Sequence, residues 1–61
     1  MNKVVKILME RDNMSELEAE NLVDECREEL EYAVNDGSWE EAECIMRDYL
    51  GLEMDYIWDI V

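Results

Sequence analysis

The stretch Ser15-Glu16-Leu17-Glu18-Ala19-Glu20-Asn21-Leu22-Val23-Asp24-Glu25-Cys26-Arg27-Glu28-Glu29-Leu30-Glu31-Tyr32-Ala33-Val34-Asn35-Asp36-Gly37 decides the fold. Its apolar residues Ala19, Leu22, Val23, Cys26, Leu30, Ala33 and Val34 fall mostly three or four apart, the spacing of one buried helical stripe. At about 100° per residue they all lie within about 60° of one direction. The opposite face carries Asn21, Asp24, Glu25, Glu28 and Glu31. Ser15 with Glu18 forms a capping box, in which each side chain serves a backbone N–H of the first turn. Gly37 closes the helix, because glycine takes the left-handed conformation of a C-terminal cap without steric cost. The spacing therefore predicts a helix over Glu16–Asp36, roughly 30 Å long.

The flanking segments are too short to stand without it. A first helix is predicted over Asn2–Arg11, with Val4, Val5, Ile7, Leu8 and Met9 as a broad apolar arc. Asn2 is its cap, and Arg11 suits the negative end of its dipole. Asp12-Asn13 marks a turn, and Met14 is placed for apolar contact at the corner. A third helix is predicted over Trp39–Leu50, capped by Ser38 with Glu41 completing a second capping box, and ended by Gly51. Its apolar face is Trp39, Ala42, Ile45, Met46, Tyr49 and Leu50. The link Asp36-Gly37-Ser38 is so short that the second and third helices must fold back as an αα-hairpin. The last stretch, Leu52–Val61, predicts a short helix over about Met54–Ile60 that docks through Leu52, Ile57 and Ile60, since so few residues hold no helix alone. The expectation is a single all-α domain over 1–61: a three-helix bundle with a short C-terminal helix. The motif Ser-x-x-Glu-Ala-Glu occurs at Ser15 and again at Ser38, which marks two similar helix starts rather than a repeat architecture.

Charge is the outstanding feature. Eighteen acids face five bases, a net charge of −13. Lys3, Lys6 and Arg11 precede residue 12; beyond it Arg27 and Arg47 are the only bases. Such a chain repels nucleic-acid phosphates and anionic membranes, and attracts a basic protein surface or divalent cations. The alternative is that the excess acid only keeps a small protein dispersed. No apolar run nears the ~20 residues needed to cross a bilayer, and the N-terminus does not read as a secretory signal. The chain is expected to be cytoplasmic, with reduced thiols. Cys26 lies within the apolar stripe and Cys44 on the polar side of its helix.

Catalytic chemistry finds little to work with. There is no histidine, so no ordinary general base near neutral pH and no Ser-His or Cys-His pair. Ser15 and Ser38 are accounted for as caps. Carboxylate pairs do acid–base work only where burial splits their pKa values, and these lie on solvated faces. The chain is expected to be no enzyme and to hold no cofactor. Glu25, Glu28 and Glu29, or Glu40, Glu41 and Glu43, would hold a divalent cation only loosely, so no metal site is assigned.

The large adaptable side chains point elsewhere. Trp39, Trp58, Tyr32, Tyr49, Tyr56 and several methionines exceed what one small core needs. Tyr32 and Leu17 face away from the apolar stripe, and Trp39 sits at a helix start where burial is hard. Two readings stand: a core with ordinary surface exposure, or an acid-ringed contact surface for another protein or a second copy. On the second, the residues of that surface are Asp24, Glu25, Glu28, Glu31, Glu40, Glu41, Glu43 and Asp48, with Tyr32 and Trp39.

The segments Arg11-Asp12-Asn13-Met14-Ser15-Glu16-Leu17-Glu18-Ala19-Glu20 and Gly51-Leu52-Glu53-Met54-Asp55-Tyr56-Ile57-Trp58-Asp59-Ile60 resemble a group of small acidic proteins of phages and mobile elements. That group shows Arg-Asp-Gly-x-Ser-x-x-Glu-Ala-Glu and ends in Gly-Leu-Glu-Pro-Asp-Tyr with an apolar tail. This chain departs with Asn13 for Gly and Met54 for Pro. The resemblance covers both ends of the chain and rests largely on caps and turns. It implies a mobile-element origin, in which small acidic proteins often bind host proteins, and carries no activity. Two expectations result. One is an inhibitor or nucleic-acid mimic that occupies a basic, nucleic-acid-handling surface of a host protein. The other is a module that homo-oligomerises, as a homodimer at the simplest. Neither involves direct nucleic-acid or membrane binding.

Overall fold

Three helices and two tighter or wider turns follow one another without a strand in the computed structural model, which describes residues 2–60. Met1 and Val61, the ends of the expected 1–61 domain, lie outside the described residues. Helix α1 spans Lys3–Arg11, α2 spans Glu16–Asn35 and α3 spans Trp39–Ile45. A π-helical segment, Met46–Leu50, continues α3, and a 3-10 turn, Met54–Asp59, is the last element. The architecture is the small all-α bundle with a central αα-hairpin.

Helix α2 sets the long dimension. Its 20 residues give about 30 Å at the helical rise, against a longest molecular extent of 32 Å and a cross-section of 16 × 16 Å. Its capping box forms as expected: the Glu18 N–H donates to Ser15 Oγ (3.1 Å), and the Ser15 N–H donates to Glu18 Oε1 (3.2 Å). At the other end Gly37 takes φ +75°. The Ser38 N–H reaches the Ala33 carbonyl (2.9 Å) and the Gly37 N–H the Val34 carbonyl (3.0 Å), a complete Schellman closure.

The inward stripe of α2 forms the middle of the core. Ala19, Val23, Cys26, Leu30 and Ala33 are buried, with Leu22 and Val34 packed at its edge. Val4, Val5 and Leu8 come from α1, Ala42, Met46 and Leu50 from α3 and its continuation, and Ile57 and Ile60 from the C-terminal turn. The accessible surface of 4198 Å² matches the about 4,200 Å² that size scaling assigns to a compact monomer of this mass.

Three sequence expectations are corrected. Ser38 makes no side-chain cap, so the second capping box with Glu41 is absent. Its ψ of 78° departs from the extended value of 161° at Ser15, because Ser38 also completes the closure of α2. The third helix is not α-helical to Leu50: from Met46 it widens into a π turn that ends at Gly51, φ +64°. The C-terminal helix is 3-10 rather than α.

Polar clamps fix the ends. Asn2 Oδ1 accepts from the Val4 N–H (2.7 Å) while its Nδ2 donates to the Asp59 carbonyl (2.6 Å). Arg27 Nε donates to the Ile60 carbonyl (2.7 Å). Arg11 does more than complement its own helix. Its guanidinium donates to the Leu50 and Gly51 carbonyls and to both carboxylate oxygens of Asp12. It thereby satisfies carbonyls left open where the third helix stops.

Candidate partner-binding surface

The face of α2 opposite the core is built by the same period that builds the core. Leu17, Asn21, Asp24, Glu25, Glu28, Glu31, Tyr32 and Asn35 follow at helical spacing, and all are exposed. Leu17 is 67% exposed and Tyr32 79%. Fifteen residues separate them, about 22 Å along the axis. The carboxylates of Asp24, Glu25, Glu28 and Glu31 lie between these two apolar ends. The face is shallow and open, with one depression lined by Glu28, Glu31, Tyr32 and Asn35 and another by Asn21, Asp24, Glu25 and Glu28.

On the third helix Glu40, Glu41, Glu43 and Asp48 are likewise exposed. The two acidic sets sit on separate helices that pack together through their buried residues. Two of the acids are partly neutralised within the chain: Asp24 pairs with Arg27 and Glu43 with Arg47, each at 2.8 Å. Among the described residues Glu25, Glu28, Glu31, Glu40, Glu41 and Asp48 have no ion-pair partner. Arg11 is engaged by Asp12 at 2.8 Å, and Lys3 lies over the Tyr56 ring, 5.5 Å from its centroid. The chain's own cations thus leave most of its acids uncompensated.

No buried side chain among the described residues is polar or charged, so the acids form a shell and not a pocket. The sets Glu25, Glu28, Glu29 and Glu40, Glu41, Glu43 are not gathered: among the described residues no group of three Cys, Asp or Glu side chains is placed to hold a metal ion. Cys26 is buried and Cys44 exposed. Desolvation, with the Glu29 charge as a smaller cause, pushes the Cys26 thiol up from 9.0 to about 11. No helix among the described residues is long and apolar enough to cross a membrane.

One aromatic feature exceeds the sequence reading. Trp39, 47% exposed, meets Trp58, 71% exposed, with ring centroids 6.3 Å apart and planes tilted by 53°. The helix-start position of Trp39 already points to the surface, whereas the exposure of Trp58 depends on how the 3-10 turn docks. Leu17, outward by the period of α2, closes one end of its face.

The chain matches no protein-family model, no curated protein and no solved structure.

Proposed function

We propose that this protein is a non-enzymatic binding module whose acidic faces occupy a basic surface of another protein. The reading follows the resemblance to phage and mobile-element proteins, with a host nucleic-acid-binding protein as the target and cytoplasmic action. The observation that carries it is the outward face of α2, where the carboxylates of Glu25, Glu28 and Glu31 have no cationic partner among the described residues and run between exposed Leu17 and Tyr32. Successive carboxylates advance by about 5 Å along the helix. One nucleic-acid strand places a phosphate about every 3.4 Å of axis. The mimicry is therefore of a negative potential in a groove and not of phosphate register. Electrostatic steering would speed encounter, and Leu17 and Tyr32 would supply the dry contacts that slow release.

The test compares the native chain with Glu25→Gln/Glu28→Gln/Glu31→Gln as bait in host lysate at 50 and 500 mM salt. Basic nucleic-acid-binding proteins should be retained at low salt and lost both at high salt and with the neutralised bait. A retained partner without a basic surface, or retention indifferent to salt, overturns the reading.

A second reading, a homodimer, rests on the exposed Leu17 and Tyr32. Sedimentation over a wide concentration range tests it: a constant monomer mass eliminates it.

A further inference from the structure

We infer that the Trp39–Trp58 pair is an arginine-binding anchor for a basic segment of the partner protein. The inference rests on the reading that the partner is basic and adds where and by what chemistry its side chains are held. Single exposed aromatic residues are ordinary. Two tryptophans in contact, both substantially exposed, from segments 19 residues apart in the chain, are not explained by the core. They join the start of α3 to the C-terminal turn, so the fold itself brings them together.

The surroundings choose the occupant. Side chains three apart eclipse in a 3-10 turn, which places Asp55 in line with Trp58. Asp55 is exposed without an ion-pair partner among the described residues, as are Glu40 and Asp59, which project to the sides of the two tryptophans they follow. A cation over the face of Trp58, with the Asp55 carboxylate in line and other acids nearby on the surface, gains both quadrupole and Coulomb attraction. The one cation–π contact among the described residues uses Lys3 and Tyr56 and leaves both indoles uncovered. A planar guanidinium stacks on such a pair better than an ammonium does. A second copy is disfavoured as the occupant, because two chains of −13 would meet across a rim of like charge.

The chain's only two tryptophans form the pair, so their emission reports the site directly. The experiment titrates fluorescein-labelled octa-arginine and octa-lysine peptides into the protein, following anisotropy and tryptophan emission. Octa-arginine should bind about two- to fivefold more tightly than octa-lysine and quench the emission, an advantage within the range of one exposed cation–π contact. Trp39→Leu/Trp58→Leu, which keeps apolar bulk but removes the π faces, should bring octa-arginine down to the octa-lysine level. Trp58→Leu alone, at the more exposed position, should lose part of the difference and serves if the double variant's circular dichroism shows unfolding. Equal affinities for the two peptides, unaltered by the leucine variants, overturn the anchor. If Glu25→Gln/Glu28→Gln/Glu31→Gln then still weakens both peptides, the acidic-face reading survives that failure. If instead the neutralised variant binds both as the native chain does while the leucine variants lose the arginine preference, the anchor stands and the acidic-face reading falls. Concentration-dependent dimerisation abolished by the leucine pair also overturns the anchor, by giving the tryptophans to a second copy.

Discussion

Asn13 holds φ +56°, a left-handed value that no other non-glycine among the described residues takes. The chain must reverse between the end of α1 and the Ser15 cap, and a Cβ makes that conformation costly for most residues. Asn13→Ala should lose about 1–2 kcal/mol on this ground, while Asn13→Gly should be nearly neutral; urea midpoints measure both. The sequence showed that Asp12-Asn13 turns, but residue type alone does not choose among turns, so the left-handed torsion needed the structure. The thiols, by contrast, were legible, because the period of α2 put Cys26 inward and the period of α3 put Cys44 outward. Cys44 should react at once with a thiol reagent and Cys26 only on unfolding. The raised Cys26 pKa also fixes a sign. The unfolded thiol loses its proton first, so this residue's share of stability is whole below pH 9 and drains away as pH rises toward about 11. Melting temperatures of the native chain should therefore fall more steeply over that window than those of Cys26→Ala.

At the scale of elements, two serines in the same local motif behave differently. Ser15 makes both bonds of its capping box, and Ser38 makes neither. Ser15→Ala should cost about 1 kcal/mol, within the usual range for a lost cap. Ser38→Ala should cost nothing resolvable, and thermal melts of the two variants side by side decide it. The motif was readable; its failure at Ser38 was not, because it arises from the closure of the preceding helix on the same residue. The π segment was hidden for a related reason. A period of 3.6 residues puts Tyr49 and Leu50 on one inward face, whereas the i→i+5 turn rotates each residue less. Leu50 stays buried and Tyr49 swings out to 40% exposure. The outward acidic face of α2 was legible because α2 is regular throughout. The Trp39–Trp58 contact was not, because it depends on how a 3-10 turn of six residues, packed against α1, brings Trp58 to the start of α3.

Over the whole molecule, a net charge of −13 is spread on a body only 16 Å thick. The Debye length is about 30 Å at 0.01 M salt and about 3 Å at 1 M, so at low salt every carboxylate feels those on the far side. Nearer neighbours add more. Glu16 and Glu20, Asp24 and Glu28, Glu25 and Glu29, and Glu28 and Glu31 stand three or four apart on α2, and each like-charge pair costs about 0.2–0.5 kcal/mol. Together they reach about 1–2 kcal/mol, a large share of the few kcal/mol that a core this small supplies. Salt also weakens the three ion pairs of Arg11, Arg27 and Arg47. These are exposed pairs of little individual worth, and the repulsive contacts outnumber them. Raising sodium chloride from 20 to 500 mM should therefore raise the melting temperature, by about 5–10 °C if most of the repulsion is screened. Glu25→Gln/Glu28→Gln/Glu31→Gln should melt higher at low salt and gain less from added salt, because part of the repulsion is already gone. A melting temperature that falls with salt would mean that the three arginine pairs outweigh the shell, and the picture of a molecule strained by its own charge would have to be given up.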